Sequence, residues 1–117
     1  MVAVDLTTSL DELKSRFIES GISKIIVYDG NIDNVVGYIH SSEMFRAPKN
    51  WHENVKQVPI VPETMSAHKL MKLFMQQKKT IAVVVDEFGG TSGIVSLEDL
   101  VEEIFGDIED EHDLAEA

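Results

Sequence analysis

The chain repeats itself, and this repeat restricts the possible fold more than any other feature of its 117 residues. Residues 10–45 align with residues 67–101, and the matched pairs include Leu13 with Leu70, Phe17 with Phe74, Asp29 with Asp86 and Gly37 with Gly93. A shared Asp at the end of one apolar run and a shared Gly in the next are harder to match by chance than apolar residues are. The repeat therefore predicts two structural copies of one unit.

Each copy has the same order of secondary-structure signals. A short apolar stretch comes first, at residues 2–4 and 58–61, and an amphipathic helix follows, which in the first copy starts at a capping box from Ser9 to Glu12. Two β-rich runs come next, at 24–28 and 35–39 in the first copy and at 80–85 and 91–95 in the second. The first run of each pair is almost wholly apolar, which predicts a strand covered on both faces.

A second helix is expected to close each copy. In the second copy an apolar stripe predicts this helix, and Gly106 is its expected end; the stripe contains Leu97, Leu100, Val101, Ile104 and Phe105. The prediction is an α+β fold of two β-α-β-β-α motifs. Residues 1–46 form the first motif, 47–57 a linker, 58–106 the second motif and 107–117 an acidic tail.

Composition and charge exclude several classes of protein. There is no cysteine, so disulfide frameworks and thiolate metal sites are excluded. No apolar run approaches the roughly 20 residues of a membrane-spanning helix, and no basic segment of a signal peptide follows Met1. The net charge is -11, and every Lys and Arg lies at or before Lys79. The acidic C-terminal third repels nucleic acid, so we expect no nucleic-acid partner.

The segment from Gly93 to Asp99 joins a predicted strand to a predicted helix. Ser96 and Asp99 have the spacing of a helix capping box, which is a purely structural role. The same geometry suits an anion, because a helix N-terminus offers unpaired N–H groups and partial positive charge. The Ser96 hydroxyl can then reach a phosphate, Asp99 can accept both hydroxyls of a ribose, and Gly93 lets a ligand approach the backbone. The two roles are compatible.

With this junction in each repeat, the chain resembles a tandem pair of cystathionine-β-synthase (CBS) motifs, known as a Bateman module. The run from Val84 to Ile108, VVDEFGGTSGIVSLEDLVEEIFGDI, is similar to the signature of the CorC/hemolysin-like proteins, which are bacterial relatives of the CNNM magnesium transporters. The resemblance implies two motifs packed with pseudo-two-fold symmetry. It also implies AMP, ADP or ATP in clefts between the motifs and a flat, disk-shaped homodimer.

The resemblance further implies a cytoplasmic domain of an inner-membrane protein, whose membrane domain would be a partner within the same full-length chain. That family is implicated in magnesium or cobalt efflux. The expected ligand is AMP or ATP, with magnesium as a counterion to ATP. No nucleophile–base pair is visible, so the chain is predicted not to be an enzyme. The alternative is a dimerisation module with a vestigial nucleotide site.

The resemblance assigns roles residue by residue. Ser96 matches the phosphate-side hydroxyl and Asp99 the ribose-binding acid. The stretch that contains Val58 and Ile60 matches the backbone facing the adenine, and the strand start from Thr80 to Ala82 matches the lining of the same cleft.

The first copy departs from the pattern, because His40 stands where Ser or Thr is usual and Glu43 where Asp is usual. One competent site is therefore expected, in the second copy, and His40 is interpreted as a packed or capping residue. No metal site is predicted. The carboxylate-rich run at 107–113 lacks the spacing of an EF-hand loop.

Overall fold

The computed structural model describes residues 1–46 and 50–116, with side chains described up to Gly106. The chain divides into two compact units, Met1–Val58 and Pro59–Ala117. Each unit holds a three-stranded sheet with at least one α-helix, and the 3₁₀ segments described in the chain both lie in the first unit, so the predicted α+β class is confirmed.

The first unit contains β1 (Ala3–Asp5), α1 (Leu10–Ser20), β2 (Lys24–Asp29) and β3 (Asn31–His40). Strand β1 runs parallel to β2, and β3 runs antiparallel to β2 on its other side. Helix α1 starts as predicted, because the Ser9 side chain accepts a hydrogen bond from the Glu12 amide at 3.2 Å. The closing element is a 3₁₀ helix (Ser41–Arg46) rather than the expected α-helix, and a second 3₁₀ helix covers Trp51–Asn54.

The second unit repeats this order with β4 (Ile60–Pro62), α2 (Ala67–Gln77), β5 (Ile81–Val85), β6 (Thr91–Ser96) and α3 (Leu97–Glu116). Its strands pair as in the first unit, β4 parallel and β6 antiparallel to β5. The expectation that Gly106 ends the last helix is wrong, since the helical backbone of α3 continues to Glu116. A glycine inside a helix lowers its stability but does not have to break it. The side chains of the carboxylate-rich run at 107–113, which was predicted to be part of an acidic tail, lie outside the described residues.

The middle strand of each sheet is buried on both faces, as predicted. Ile25, Ile26 and Val27 in β2 have no exposed surface, and Ile81, Ala82 and Val83 in β5 are at most 5% exposed. Because neighbouring side chains of a strand point to opposite faces, three buried residues in a row require cover on both. Each unit also has its own core cluster, around Leu13 and Phe17 in the first and around Leu70 and Phe74 in the second.

Candidate functional site

The junction between β6 and α3 is held by two hydrogen bonds. Ser96 ends the strand, and its hydroxyl accepts a hydrogen bond from the Asp99 amide at 3.1 Å. The Leu97 amide donates to the Thr80 carbonyl at 2.8 Å, which fixes the start of the helix against the strand start of β5. The predicted capping role of Ser96 is confirmed, so its side chain stabilises α3.

The carboxylate that the sequence assigns to a ribose lies on the open side of this junction. Asp99 is exposed and Ser96 is half-buried, whereas Leu100, one residue further, is packed in the core. Glu98 and Asp99 both lie in the first turn of α3, where negative side chains are stabilised by the helix dipole. The Asp99 carboxylate is therefore accessible to a diol, and the Ser96 hydroxyl lies beside the first amides of the helix, where a phosphate could bind.

Three of the other predicted residues belong to the second unit, where the strand pairing and the start of α3 place them. Ile60 lies opposite Val83 across the β4–β5 pair, Ala82 lies opposite Val95, and Thr80 joins α3 through its carbonyl. Ile60 is 55% exposed, whereas Ala82 has no exposed surface and is packed in the core of the second unit, so Ala82 is not accessible to a ligand in this structure. Val58 is half-buried and is the last residue of the first unit.

Gly93 leaves open space beside β6. A Cβ atom built at Gly93 would have no heavy atom within 4 Å. Its repeat partner Gly37 is in a different situation, since a Cβ there would lie 2.1 Å from the Lys56 carbonyl oxygen. The second unit therefore has room next to its strand–helix junction, and the first unit has chain in the corresponding place.

The junction in the first unit is built from different side chains. Nδ1 of His40 accepts a hydrogen bond from the Ser42 amide at 3.0 Å, so His40 caps the 3₁₀ helix, as the sequence interpretation expected. Glu43 is only 5% exposed, and its carboxylate lies 3.9 Å from the Arg46 guanidinium. The acid that corresponds to Asp99 is thus withdrawn from solvent.

Sequence reasoning missed how firmly the linker is packed. Trp51 is 2% exposed in the core of the first unit, and its indole N–H donates to the Thr8 carbonyl at 3.0 Å. His52 stacks on Trp51, and its imidazole contacts the carbonyl oxygen of Leu6. The sequence did contain a signal for this packing, because Trp is the largest apolar side chain and a polar linker is an unusual place for it.

Two features are absent from the described residues. Among the described side chains, no group of three His, Cys, Asp or Glu residues has the geometry to hold a metal ion. Within the described part of the chain, none of the helices has the length and apolar character needed to cross a bilayer.

Comparison with known proteins identifies the family. The sequence profile of the CBS domain matches residues 1–50 and again residues 54–106. A hemolysin C homolog of Rickettsia massiliae (strain Mtu5) is 42% identical over 120 residues, which cover 97% of this chain and 40% of that protein. The chain thus spans about 40% of the length of the curated relatives it matches.

Solved structures give the same answer. The CBS domain of the bacterial CNNM/CorC family Mg²⁺ transporter is 34% identical, with a TM-score of 0.84 over 91% of this chain and 68% of that one. The structure of the same domain in complex with ATP has a TM-score of 0.83 at 34% identity, over 91% of this chain and 80% of that one. The chain is therefore a tandem pair of CBS domains related to hemolysin C and to the CNNM/CorC transporters.

Proposed function

We propose that this CBS pair is a regulatory module that binds an adenine nucleotide, AMP or ATP, and that it acts within a membrane protein of magnesium or cobalt efflux. In this proposal it is a cytoplasmic domain with no catalytic role of its own. Nucleotide binding shifts the packing of the pair, and that shift biases the attached membrane domain.

One observation carries the proposal: the second unit presents an accessible Asp99 beside the Ser96 cap, with open space at Gly93. This is the arrangement that a phosphoribosyl group requires, since one turn of helix supplies both an anion site and a diol acceptor. The 34% identity to a CBS domain solved with ATP supports the choice of nucleotide. The opposite state of the first junction, where Glu43 is buried, supports a single site.

The negative charge of α3 favours the magnesium complex of ATP over free ATP. Between Leu97 and Gly106, where the side chains of α3 are described, four residues are acidic and none is basic; the acids are Glu98, Asp99, Glu102 and Glu103. ATP alone would be repelled by such a surface, whereas the Mg²⁺ complex of ATP carries less negative charge. The proposal therefore includes magnesium as a counterion that arrives with ATP.

Calorimetric titration of the 117-residue chain with AMP, ADP and ATP, each with and without Mg²⁺, tests the proposal. Saturable heat with a stoichiometry of one nucleotide per chain is expected, and Mg²⁺ should strengthen ATP binding more than AMP binding. If millimolar nucleotide produced no heat and no thermal shift, nucleotide binding by this chain would be excluded.

Substitutions at the junction separate capping from binding. Ser96→Asp keeps a side-chain acceptor at the N-cap, so the free energy of unfolding should stay within about 0.5 kcal/mol of the parent. Its new carboxylate should repel the phosphate and abolish nucleotide binding. Asp99→Asn should weaken binding by roughly tenfold or more through loss of charge-assisted hydrogen bonds. A Ser96→Asp protein that binds nucleotide normally would show that the phosphate lies elsewhere.

A homodimer is part of the proposal, and a dimerisation module without a working nucleotide site is the alternative. Two large apolar side chains on the surface of the first unit favour self-association, since Ile18 is 82% and Phe45 is 89% exposed. They border an apolar groove of about 450 Å³ between α1 and the first 3₁₀ helix, which Phe17 and Met44 also line. Sedimentation of Ile18→Glu distinguishes the cases: a monomer that still binds nucleotide supports the main proposal, and a dimer that never binds supports the alternative.

A further inference from the structure

The core of the first unit is completed by a residue type that the second unit lacks. Trp51 is the single Trp of the sequence and belongs to the buried cluster of the first unit, where its indole N–H donates to the Thr8 carbonyl at 3.0 Å. His52 follows it and contacts the carbonyl oxygen of Leu6. An aromatic side chain and its neighbour thus fill the space beside the turn that leads from β1 to α1.

The corresponding place in the second unit is a cavity of about 170 Å³, and every residue that lines it belongs to that unit. In the first sheet Val4 pairs with Val27, and both belong to the same buried cluster as Trp51. Their counterparts in the second sheet are the paired residues Val61 and Val84, and both line the cavity. The cavity therefore lies where the repeat places the counterpart of the indole ring.

The turn beside the cavity is built like the turn that holds the indole. The Thr8 amide donates to the Asp5 carbonyl at 3.0 Å, and the Met65 amide donates to the Pro62 carbonyl at 3.1 Å. Met65 and Pro62 both line the cavity. The Met65 carbonyl is thus the counterpart of the acceptor that Trp51 uses. The repeat indicates that an aromatic ring with an N–H donor fits this cavity.

The size and walls of the cavity also suit such a ring. Val61, Leu70 and Leu100 are buried side chains of the second core, and all three line it. An engineered apolar cavity of about 150 Å³ binds benzene. A cavity of about 170 Å³ that also opens to solvent can therefore take the two fused rings of an indole.

Two carboxylates at the mouth of the cavity favour a positively charged ligand. Glu63 and Glu103 are exposed and line the cavity, and none of the described residues that line it is basic. The Ser92 hydroxyl donates to the Glu63 carboxylate and so orients it. The strand registers place Leu6 at the position of Glu63 in the first unit, so this negative charge is particular to the second. An anionic ligand would be repelled here.

We propose that this cavity binds an aromatic amine, which has an indole-sized ring with an N–H donor and a positively charged arm. The ring takes the place that Trp51 has in the first unit, and the ammonium group pairs with Glu63 and Glu103. The proposal does not rest on the proposed nucleotide function, since Ser96 and Asp99 are not among the residues that line the cavity.

Titration of the 117-residue chain with tryptamine, followed by the NMR signals of valine and leucine methyl groups, tests the proposal. The signals of Val61, Val84 and Leu100 should shift saturably, and those of Val4 and Val27 should not move. Indole-3-acetate has the same ring and the opposite charge, so it should bind about tenfold more weakly. Unshifted signals at millimolar tryptamine would overturn the proposal, as would equal affinity for the two compounds.

Charge substitutions at the mouth test the ammonium contact. The double variant Glu63→Gln/Glu103→Gln should weaken tryptamine binding by about fivefold. Glu87→Gln/Glu102→Gln is the matched control, because it removes the same charge from exposed positions of the second unit that do not line the cavity. Equal weakening by the two double variants would mean that tryptamine responds only to the overall charge, which contradicts the proposed site.

Filling the cavity tests its position. Ala67 lines it and packs against the second core, so Ala67→Phe should abolish tryptamine binding. Binding that survives in a folded Ala67→Phe protein would overturn the proposal, and the exposed Gln variants keep it testable if that protein does not fold. Tryptamine that AMP displaces would place both in one site and also overturn it. A chain that binds tryptamine but no nucleotide would support this inference and contradict the proposed function.

Discussion

The two strand–helix junctions of this protein come from one repeated pattern and have opposite accessibility. In the first unit the linker lies against Gly37, His40 caps the helix, and Glu43 is buried. In the second unit the space at Gly93 is open, Ser96 caps the helix, and Asp99 is exposed. The comparison shows that a repeat can preserve the strand pairing around a junction while only one copy keeps that junction accessible.

The linker is the main cause of the difference in the first unit. Trp51 anchors it in the core, and the Tyr38–Lys56 pairing then covers the edge of the sheet. This packing lies entirely within the first unit. Substitutions at Trp51, at the two glycines and at the helix caps test how much each of them contributes to the difference between the two units.

Trp51→Ala should have the largest effect. Removing a buried Trp typically lowers the free energy of unfolding by about 3–5 kcal/mol, and the Thr8 carbonyl also loses its donor. Denaturant unfolding measures the loss, and amide exchange at Tyr38 should accelerate because the linker is released. Trp51→Phe is the control, and it should retain most of the packing. A Trp51→Ala protein of parental stability would show that the linker is not what closes the first junction.

Gly37→Ala and Gly93→Ala make a matched pair with a smaller expected difference. At Gly37 the added methyl group meets the Lys56 carbonyl at 2.1 Å and a Val55 methyl at 2.8 Å. Overpacking of this kind costs about 1–3 kcal/mol, whereas Gly93→Ala should change the free energy of unfolding by less than about 0.5 kcal/mol. Thermal or urea unfolding measures both. Equal losses at the two positions would contradict the asymmetry of the two edges.

Substitutions at the C-caps of α1 and α2 are expected to change the free energy of unfolding in opposite directions. Gly21 and Lys78 both adopt left-handed backbone, with φ of 68° and 55°, and their amides donate to the Phe17 and Phe74 carbonyls. That conformation costs an L-residue roughly 1 kcal/mol relative to glycine. Lys78→Gly should therefore raise the free energy of unfolding by about 1 kcal/mol, and Gly21→Lys should lower it by a similar amount. Two changes of the same sign would show that these caps differ in more than residue type.

The sequence predicted the elements whose signals are local. The capping box at Ser9, the apolar face of α2 and the fully buried middle strands depend on neighbouring residues, and the structure confirms all three. The 3₁₀ form of the segment after His40 was not predictable in this way. In this segment His40 caps the Ser42 amide and Glu43 is buried, and the apolar periodicity of the sequence predicts neither feature.

The cap at the second junction was predictable from the sequence, but the accessibility of the junction was not. Ser96 and Asp99 could be named from spacing alone, because a helix start fixes which groups lie together. That Glu43 is buried, that Ala82 faces the core and that Lys56 fills the space beside Gly37 follow from long-range packing. Each of these depends on residues far away in the sequence, which pattern reasoning does not place.

The smallest expected effect concerns the turn of the first hairpin, where Asp5 has no counterpart in the second unit, because Pro62 stands at its position. The Asp5 carboxylate accepts hydrogen bonds from the amide and hydroxyl of Thr7 and from the Gly30 amide, each at 2.9 Å. The hydrogen bonds from Thr7 hold the pKa of Asp5 below its usual value, with a further contribution from Gly30.

The sign of the pH dependence follows from that lowered pKa. The charged form is favoured in the folded state, so Asp5 contributes stability above the pKa of an unfolded Asp, about 3.9. The contribution is lost as the pH falls through the lower pKa of the folded protein. Asp5→Asn should thus be less stable than the parent at pH 7, and the difference should shrink below about pH 4. Glu87→Gln, at an exposed position of the loop between β5 and β6, is the control. A difference that stays constant from pH 7 to pH 2 would mean that Asp5 acts through the shape of the turn rather than through its charge.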